Sequence, residues 1–171
     1  MLEWGPGGGA NLNEFYPFVK RAIGVDISKK NLDECKRVLN LHHREKTETF
    51  HQVLLMDDLK SIESEICEID IFISTAVFQH FPSKAYGVDV LSIVSKKMKK
   101  GGIGIVQIRY DDGTVKFRPK ELAEYQKRYI YATSYKLVEF WEILKVVGLN
   151  PLAVVDVDKS INYATFVFEK N

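Results

Sequence analysis

The chain begins M-L-E-W-G-P-G-G-G-A-N, with four glycines and a proline in its first nine residues. Glycine lets a backbone turn sharply and pass close to a ligand with no Cβ in the way. A helix that follows such a loop points its unpaired N–H groups at the same ligand. Asp26 stands about 20 residues further on, where an acid at a strand end accepts hydrogen bonds from two ribose hydroxyls. The structural alternative is that Asp26 only caps the helix beginning after Ser28. Taken together, loop and acid point to a nucleoside cofactor. Gly5, Gly7 and Ala10 also satisfy the dinucleotide pattern G-x-G-x-x-[GA], so the loop alone does not choose. Three features tilt the choice away from a dinucleotide. Glu3 precedes the loop, and a carboxylate there opposes a pyrophosphate but suits a cationic ligand. Met56-Asp57-Asp58 offers an acceptor for an exocyclic amine such as adenine N6. The 171 residues leave no room for a separate dehydrogenase substrate domain.

Such residues work only if strands end beneath them. Short apolar runs alternate with helical stretches along the chain. Leu2-Glu3-Trp4 is the stub of a first strand, and Asn11 with Glu14 resembles a capping box opening a helix. Ala22 to Ile27 reads as a second strand. Ser28 caps a helix striped by Leu32, Cys35 and Leu39. Phe50 to Met56 and Ile69 to Ala76 follow as strands. A helix starting at Pro82-Ser83 is expected to end at Gly101-Gly102, and Ile103 to Tyr110 is a fifth strand. Ser134 is expected to cap a further helix closed by Gly148. Leu152 to Val157 and Tyr163 to Phe168 look like a closing antiparallel pair. Alternating strands and helices imply a mostly parallel sheet covered on both faces, with its binding crevice at the carboxyl ends of the strands.

Bulk properties bound the partners. Hydrophobic residues make up 46% and charged residues 27%, a balance that forms a packed core. A net charge of +1 gives no general reason to expect a nucleic acid or a membrane surface as partner. Cys35 and Cys67 are too few for a disulfide framework and read as reduced core residues of a cytoplasmic protein. The expected organisation is one domain over residues 1–171.

The succession EWGPGGG, GVDIS (Gly24 to Ser28), MDD, ISTAVFQHF (Ile73 to Phe81) and KKGGIGIVQIRY resembles the class I S-adenosylmethionine-dependent methyltransferases. The likeness covers nearly the whole chain in order. It implies a Rossmann-like three-layer α/β/α sandwich, with a mostly parallel seven-stranded sheet and a C-terminal antiparallel hairpin. It also implies S-adenosyl-L-methionine as cofactor, with no metal. Its methionine part would lie on Glu3, Gly5, Gly7 and Gly9, its ribose on Asp26, and its adenine amine on Asp57 or Asp58. Ile27, next to the ribose acid, and Ser74, at the end of strand four, complete the expected cofactor contacts. Family members normally carry helices before strand one, whereas only Met1 and Leu2 precede Glu3 here. The N-terminal helices are therefore read as truncated, and the cover they give as missing or supplied by another element, a second copy of the chain included.

On the acceptor side, His80 falls just past strand four, next to the expected methyl position. It reads either as general base for a hydroxyl or as a histidine that holds its loop. Gln79 could contact cofactor or substrate. Arg109 and Tyr110 end strand five and could bind an acidic acceptor, or Arg109 could pair with Asp111 or Asp112. Five of the eight tyrosines fall between Tyr110 and Tyr135 (the others there are Tyr125, Tyr129 and Tyr131), a segment read as a substrate-side cap. The place after strand four reads S-T-A-V-F rather than [DNS]-P-P-[YFW], which disfavours amino-methylation of nucleic-acid bases. The expected activity is methyl transfer to a small-molecule acceptor, at oxygen. The rival readings are an NAD(P)-dependent oxidoreductase fragment and a non-catalytic S-adenosylmethionine-binding module.

Overall fold

Strands buried on both faces set the architecture of the computed structural model, which describes residues 1–55, 59–113 and 133–171. β1 (Leu2–Trp4) and β2 (Ala22–Asp26) are buried along their whole length, as near-continuous apolar strands under two helical layers must be. β3 is Phe50–Leu54, β4 Ile69–Ser74 and β5 Met98–Arg109. β6 (Leu149–Asp158) and β7 (Tyr163–Lys170) close the chain. The seven strands form one sheet in the order β3-β2-β1-β4-β5-β7-β6. β1 to β5 pair in parallel, and β7 inserts antiparallel between β5 and β6. The strand order reverses between β1 and β4, which places the binding crevice at their carboxyl ends.

The helices divide between two cores. α1 (Ala10–Phe15) and α2 (Lys29–His42) bury Leu12, Cys35 and Leu39 against Phe50 and Ile73. On the larger core, α3 (Leu59–Glu65) contributes Ile62, α4 (Lys84–Lys97) Val90 and Val94, and α5 (Leu137–Val146) Phe140 and Leu144. Neighbours on β4 separate accordingly: Phe72 joins the larger core and Ile73 the smaller, as alternation along a strand requires. The Rossmann-like sandwich with its terminal antiparallel pair is thus the observed fold.

Three helix boundaries differ from expectation. Gly9 precedes α1 with a left-handed backbone and no side-chain cap. The Asn11 amide instead leaves the helix end to donate to Glu3 and Thr75. α4 starts as expected, with Ser83 Oγ accepting the Tyr86 N–H at 3.1 Å, but ends at Lys97 rather than at the glycines. Met98 turns extended there, buries its side chain and pairs with Ile69. Gly101 and Gly102 therefore lie inside β5, where a Cβ on Gly102 would stand 2.8 Å from the Lys99 carbonyl oxygen. Helix α5 begins after Lys136, whose N–H is accepted by Glu139 Oε2 at 3.1 Å, while Ser134 is buried ahead of it. Ser28 and Gly148 behave as expected. Ser28 Oγ accepts the Asn31 N–H, and Gly148 takes a left-handed turn after α5. Both cysteines are free, Cys35 buried and Cys67 half-buried.

Candidate active site

The site is built around the carboxyl ends of the parallel strands. β1 ends at Trp4, and the loop that follows stays attached to β2 through the Gly5 N–H, which donates to the Val25 carbonyl at 2.7 Å. Gly5 has φ +74°, and a Cβ there would stand 2.3 Å from Val77 Cγ2 in the loop after β4. Gly9 has φ +86°, and its Cβ would meet Cys35 Sγ at 2.7 Å and Cys35 Cα at 3.1 Å. At both positions backbone angle and available space admit only glycine. The loop is wedged between α2 and the loop after β4, leaving a trench of about 330 Å³ beside it. Gly5, Gly7, Asp26, Ile27, Asn31 and His80 are among its lining residues.

Two acids approach the loop from neighbouring strands, β1 and β2. Glu3 is 1% exposed. Its Oε1 accepts from Asn11 Nδ2 at 2.8 Å, and its Oε2 is buried with no hydrogen-bond partner. Desolvation by burial pushes its carboxyl up to about 7, against the lowering effect of the Asn11 amide and the Leu12 N–H. Asp26, also buried, ends β2. Its Oδ1 accepts the Ser28 N–H at 2.8 Å, and Asn31 Nδ2 lies 3.3–3.4 Å from both carboxylate oxygens. Asp26 thus braces the start of α2 while lining the trench, so the structural and ligand readings coexist in one side chain.

Glu3 and the remaining expected residues among those described fall outside the trench lining. Gly9 packs on α2, and Ser74 is fully buried, donating from Oγ to the Trp4 carbonyl at 3.0 Å so that the ends of β4 and β1 are tied together. Gln79 is 2% exposed, and its Nε2 donates to Tyr163 Oη at 3.1 Å and lies 3.5 Å from His80 Nε2. Arg109 ends β5 directly opposite Tyr163 of β7. Tyr110 is buried in the larger core, bridged to Tyr135. Asp57, Asp58, Tyr125, Tyr129 and Tyr131 lie outside the described residues. Sequence reasoning missed Asn31, Val77 and Tyr163. Asn31 had a signal, five positions after Asp26 on the first turn of a capped helix. Tyr163 had none, because only the sheet order brings β7 beside β5.

The family model of the methyltransferase domain matches residues 2–106, from β1 through the first part of β5. The chain belongs to the methyltransferase domain family. Among curated proteins none matches the chain. In fold, this methyltransferase domain is similar to a S-adenosylmethionine-dependent methyltransferase from Clostridium acetobutylicum (TM-score 0.70, 17% identity), covering 99% of this chain and 83% of that one. It is also similar to magnesium protoporphyrin IX methyltransferase from Synechocystis, with bound S-adenosylhomocysteine (TM-score 0.69, 14% identity), covering 99% and 73%. A possible exported protein from Bordetella parapertussis shares the fold at TM-score 0.72 and 15% identity. The chain spans 61% of that protein's length, and 99% of the chain is covered.

The cofactor of the class I methyltransferases is S-adenosylmethionine, and the residues present fit it. The methyltransferase domain has an unpartnered buried carboxylate oxygen on Glu3, suited to a cationic group. Its glycine loop has room for no side chain at Gly5, and nothing stands within 4 Å of a Cβ at Gly7. The Asp26 carboxylate lines the trench beside them, as ribose hydroxyls need.

Proposed function

We propose that the protein is a methyltransferase acting on a hydroxyl of a small-molecule acceptor, with His80 as the base. The observation that carries this reading is that His80 lines the same trench as Gly5, Gly7 and Asp26. Glu3, Gly5 and Gly7 would hold the methionine part of S-adenosylmethionine and Asp26 its ribose. When bound, the cofactor supplies an electrophilic methyl carbon. The chain's own residues then have two tasks. The loop after β4 aligns the acceptor oxygen with the methyl position, because in-line displacement depends on orientation more than on acid strength. His80 accepts the hydroxyl proton as the oxygen is alkylated, work for which imidazole is the commonest side chain. Arg109 and Tyr163 are paired at the ends of β5 and β7 and would border the acceptor side in this reading.

The two free thiols support a reducing, cytoplasmic setting. Among the described residues no helix is long and apolar enough to cross a membrane. Calorimetry with S-adenosylhomocysteine tests the cofactor half of the reading: binding is expected, and binding of NADH in its place would overturn it. Asp26→Ala should weaken that binding by about 1.5–3 kcal/mol, the scale of hydrogen bonds to a charged group. His80→Ala should lower turnover of a hydroxylated acceptor by about 10²–10⁴-fold at unchanged cofactor affinity. Turnover within twofold of wild type would return His80 to a loop-holding role. Cofactor binding with no transfer to any acceptor in a metabolite screen would instead describe a binding module.

A further inference from the structure

Asp26 and Asn31 stand together in the wall of the trench, one at the end of β2 and the other on the first turn of α2. Asn31 Nδ2 faces both oxygens of the Asp26 carboxylate, 3.4 Å from Oδ1 and 3.3 Å from Oδ2. Only the nitrogen end of the amide suits that place, because its oxygen would set acceptor against acceptor. The Asn31 amide oxygen, Oδ1, is therefore turned away from Asp26, and no described residue donates to it. Asn31 is half-buried, so this spare acceptor belongs to a side chain whose surface forms part of the trench wall.

A carboxylate offers about four lone-pair positions, two on each oxygen. On Asp26 Oδ1 the Ser28 N–H, at 2.8 Å, takes one and the Asn31 amide the other. On Oδ2 the same amide takes one, which leaves a single position open to a ligand. A ribose presents two neighbouring hydroxyls and so has two protons to place. One open position does not receive both, but the amide fixed against Asp26 carries a second acceptor on the same wall. We propose that Asp26 and Asn31 divide the cofactor's ribose between them, one hydroxyl donating to Asp26 Oδ2 and its neighbour to Asn31 Oδ1. The Asn31 amide then has two tasks. Its nitrogen holds the carboxylate in place, and its oxygen, aimed by the same planar group, takes the second hydroxyl. A nucleoside that lacks either hydroxyl leaves one of these acceptors without its donor, so the pair discriminates ribose from deoxyribose.

This inference rests on the reading of Asp26 as the ribose acid, and its test keeps the two apart. Calorimetry compares S-adenosylhomocysteine with its 2′-deoxy and 3′-deoxy analogues on wild type, Asn31→Ala and Asp26→Ala. In wild type the analogue missing the hydroxyl on the carboxylate should bind about 10–100-fold more weakly than the parent compound. The analogue missing the hydroxyl on the neutral amide should bind about 3–10-fold more weakly. Asn31→Ala should abolish the smaller penalty and keep the larger. Ser28 caps α2 through the main-chain N–H of residue 31, so the substitution leaves that cap in place. A merely structural role for Asn31 would weaken the parent and both analogues together and leave both penalties standing, which overturns the proposal. Two penalties unchanged in size and at unchanged parent affinity would put both hydroxyls on Asp26, and overturn it equally. No penalty for either analogue in wild type does the same. Unchanged affinity of Asp26→Ala for S-adenosylhomocysteine instead fails the ribose reading itself, and the shared ribose falls with it.

Discussion

At the scale of single residues, Glu3 shows burial and charge in opposition. Its folded carboxyl titrates at about 7 because the charged form is desolvated, while an unfolded glutamate titrates near 4.5. The folded state therefore holds its proton more tightly. The stabilising contribution is full below about pH 4.5, falls as pH rises to about 7, and is flat beyond it. The loss across that window is on the order of 3 kcal/mol in the ligand-free chain. Urea denaturation at pH 5 and pH 8 should show wild type losing stability relative to Glu3→Gln by about that amount. Equal losses in the two proteins would mean that Glu3 is ionised throughout. The position of Glu3 was legible from the sequence, since a carboxylate directly before a glycine loop has few other uses. Its clamp was not, because Asn11 read as a helix cap until the sheet brought Glu3 and Thr75 within its reach.

At the scale of elements, local signals gave way wherever tertiary packing competed with them. Strand positions were readable to within a few residues, because runs such as Ile69–Ser74 have no other place than a covered sheet. The end of α4 was not, since pairing of Met98 with Ile69 outweighs the glycines that follow. A second packing constraint sits at Gly87 in the same helix. A Cβ there would stand 2.2 Å from Tyr135 Oη, itself buried and without a hydrogen-bond partner. Gly87→Ala should therefore destabilise the fold by about 1–3 kcal/mol through overpacking, even though alanine is the better helix former by about 1 kcal/mol. Tyr135→Phe removes the obstructing oxygen. In a double-mutant cycle it should recover most of the loss, and strict additivity of the two changes would show that the contact is not the cause.

At the scale of the whole molecule, the architecture was legible as a rhythm of strands and helices, whereas the meeting of β5 with β7 was not. Topology rather than local pattern joins Arg109 to Tyr163, and so also Gln79 to its partner. One consequence concerns β1. This three-residue strand sits between β2 and β4 and pairs with the first at three positions and the second at two, against seven between β5 and β7. Mechanically it is a narrow seam between a two-stranded panel, β3-β2, and a four-stranded one, β4-β5-β7-β6. The trench spans that seam, with Asp26 on one panel and Val77 and His80 on the other. A molecule gripped by both sides acts as a clasp across it. Hydrogen exchange with and without S-adenosylhomocysteine should show the largest gain in amide protection at Leu2–Trp4 and its partners in β2 and β4, and little at the β6–β7 pair. Uniform protection across the sheet would make the seam an ordinary strand. With the clasp in place, the stretch that carries the glycine loop becomes the line along which the two panels are hardest to part.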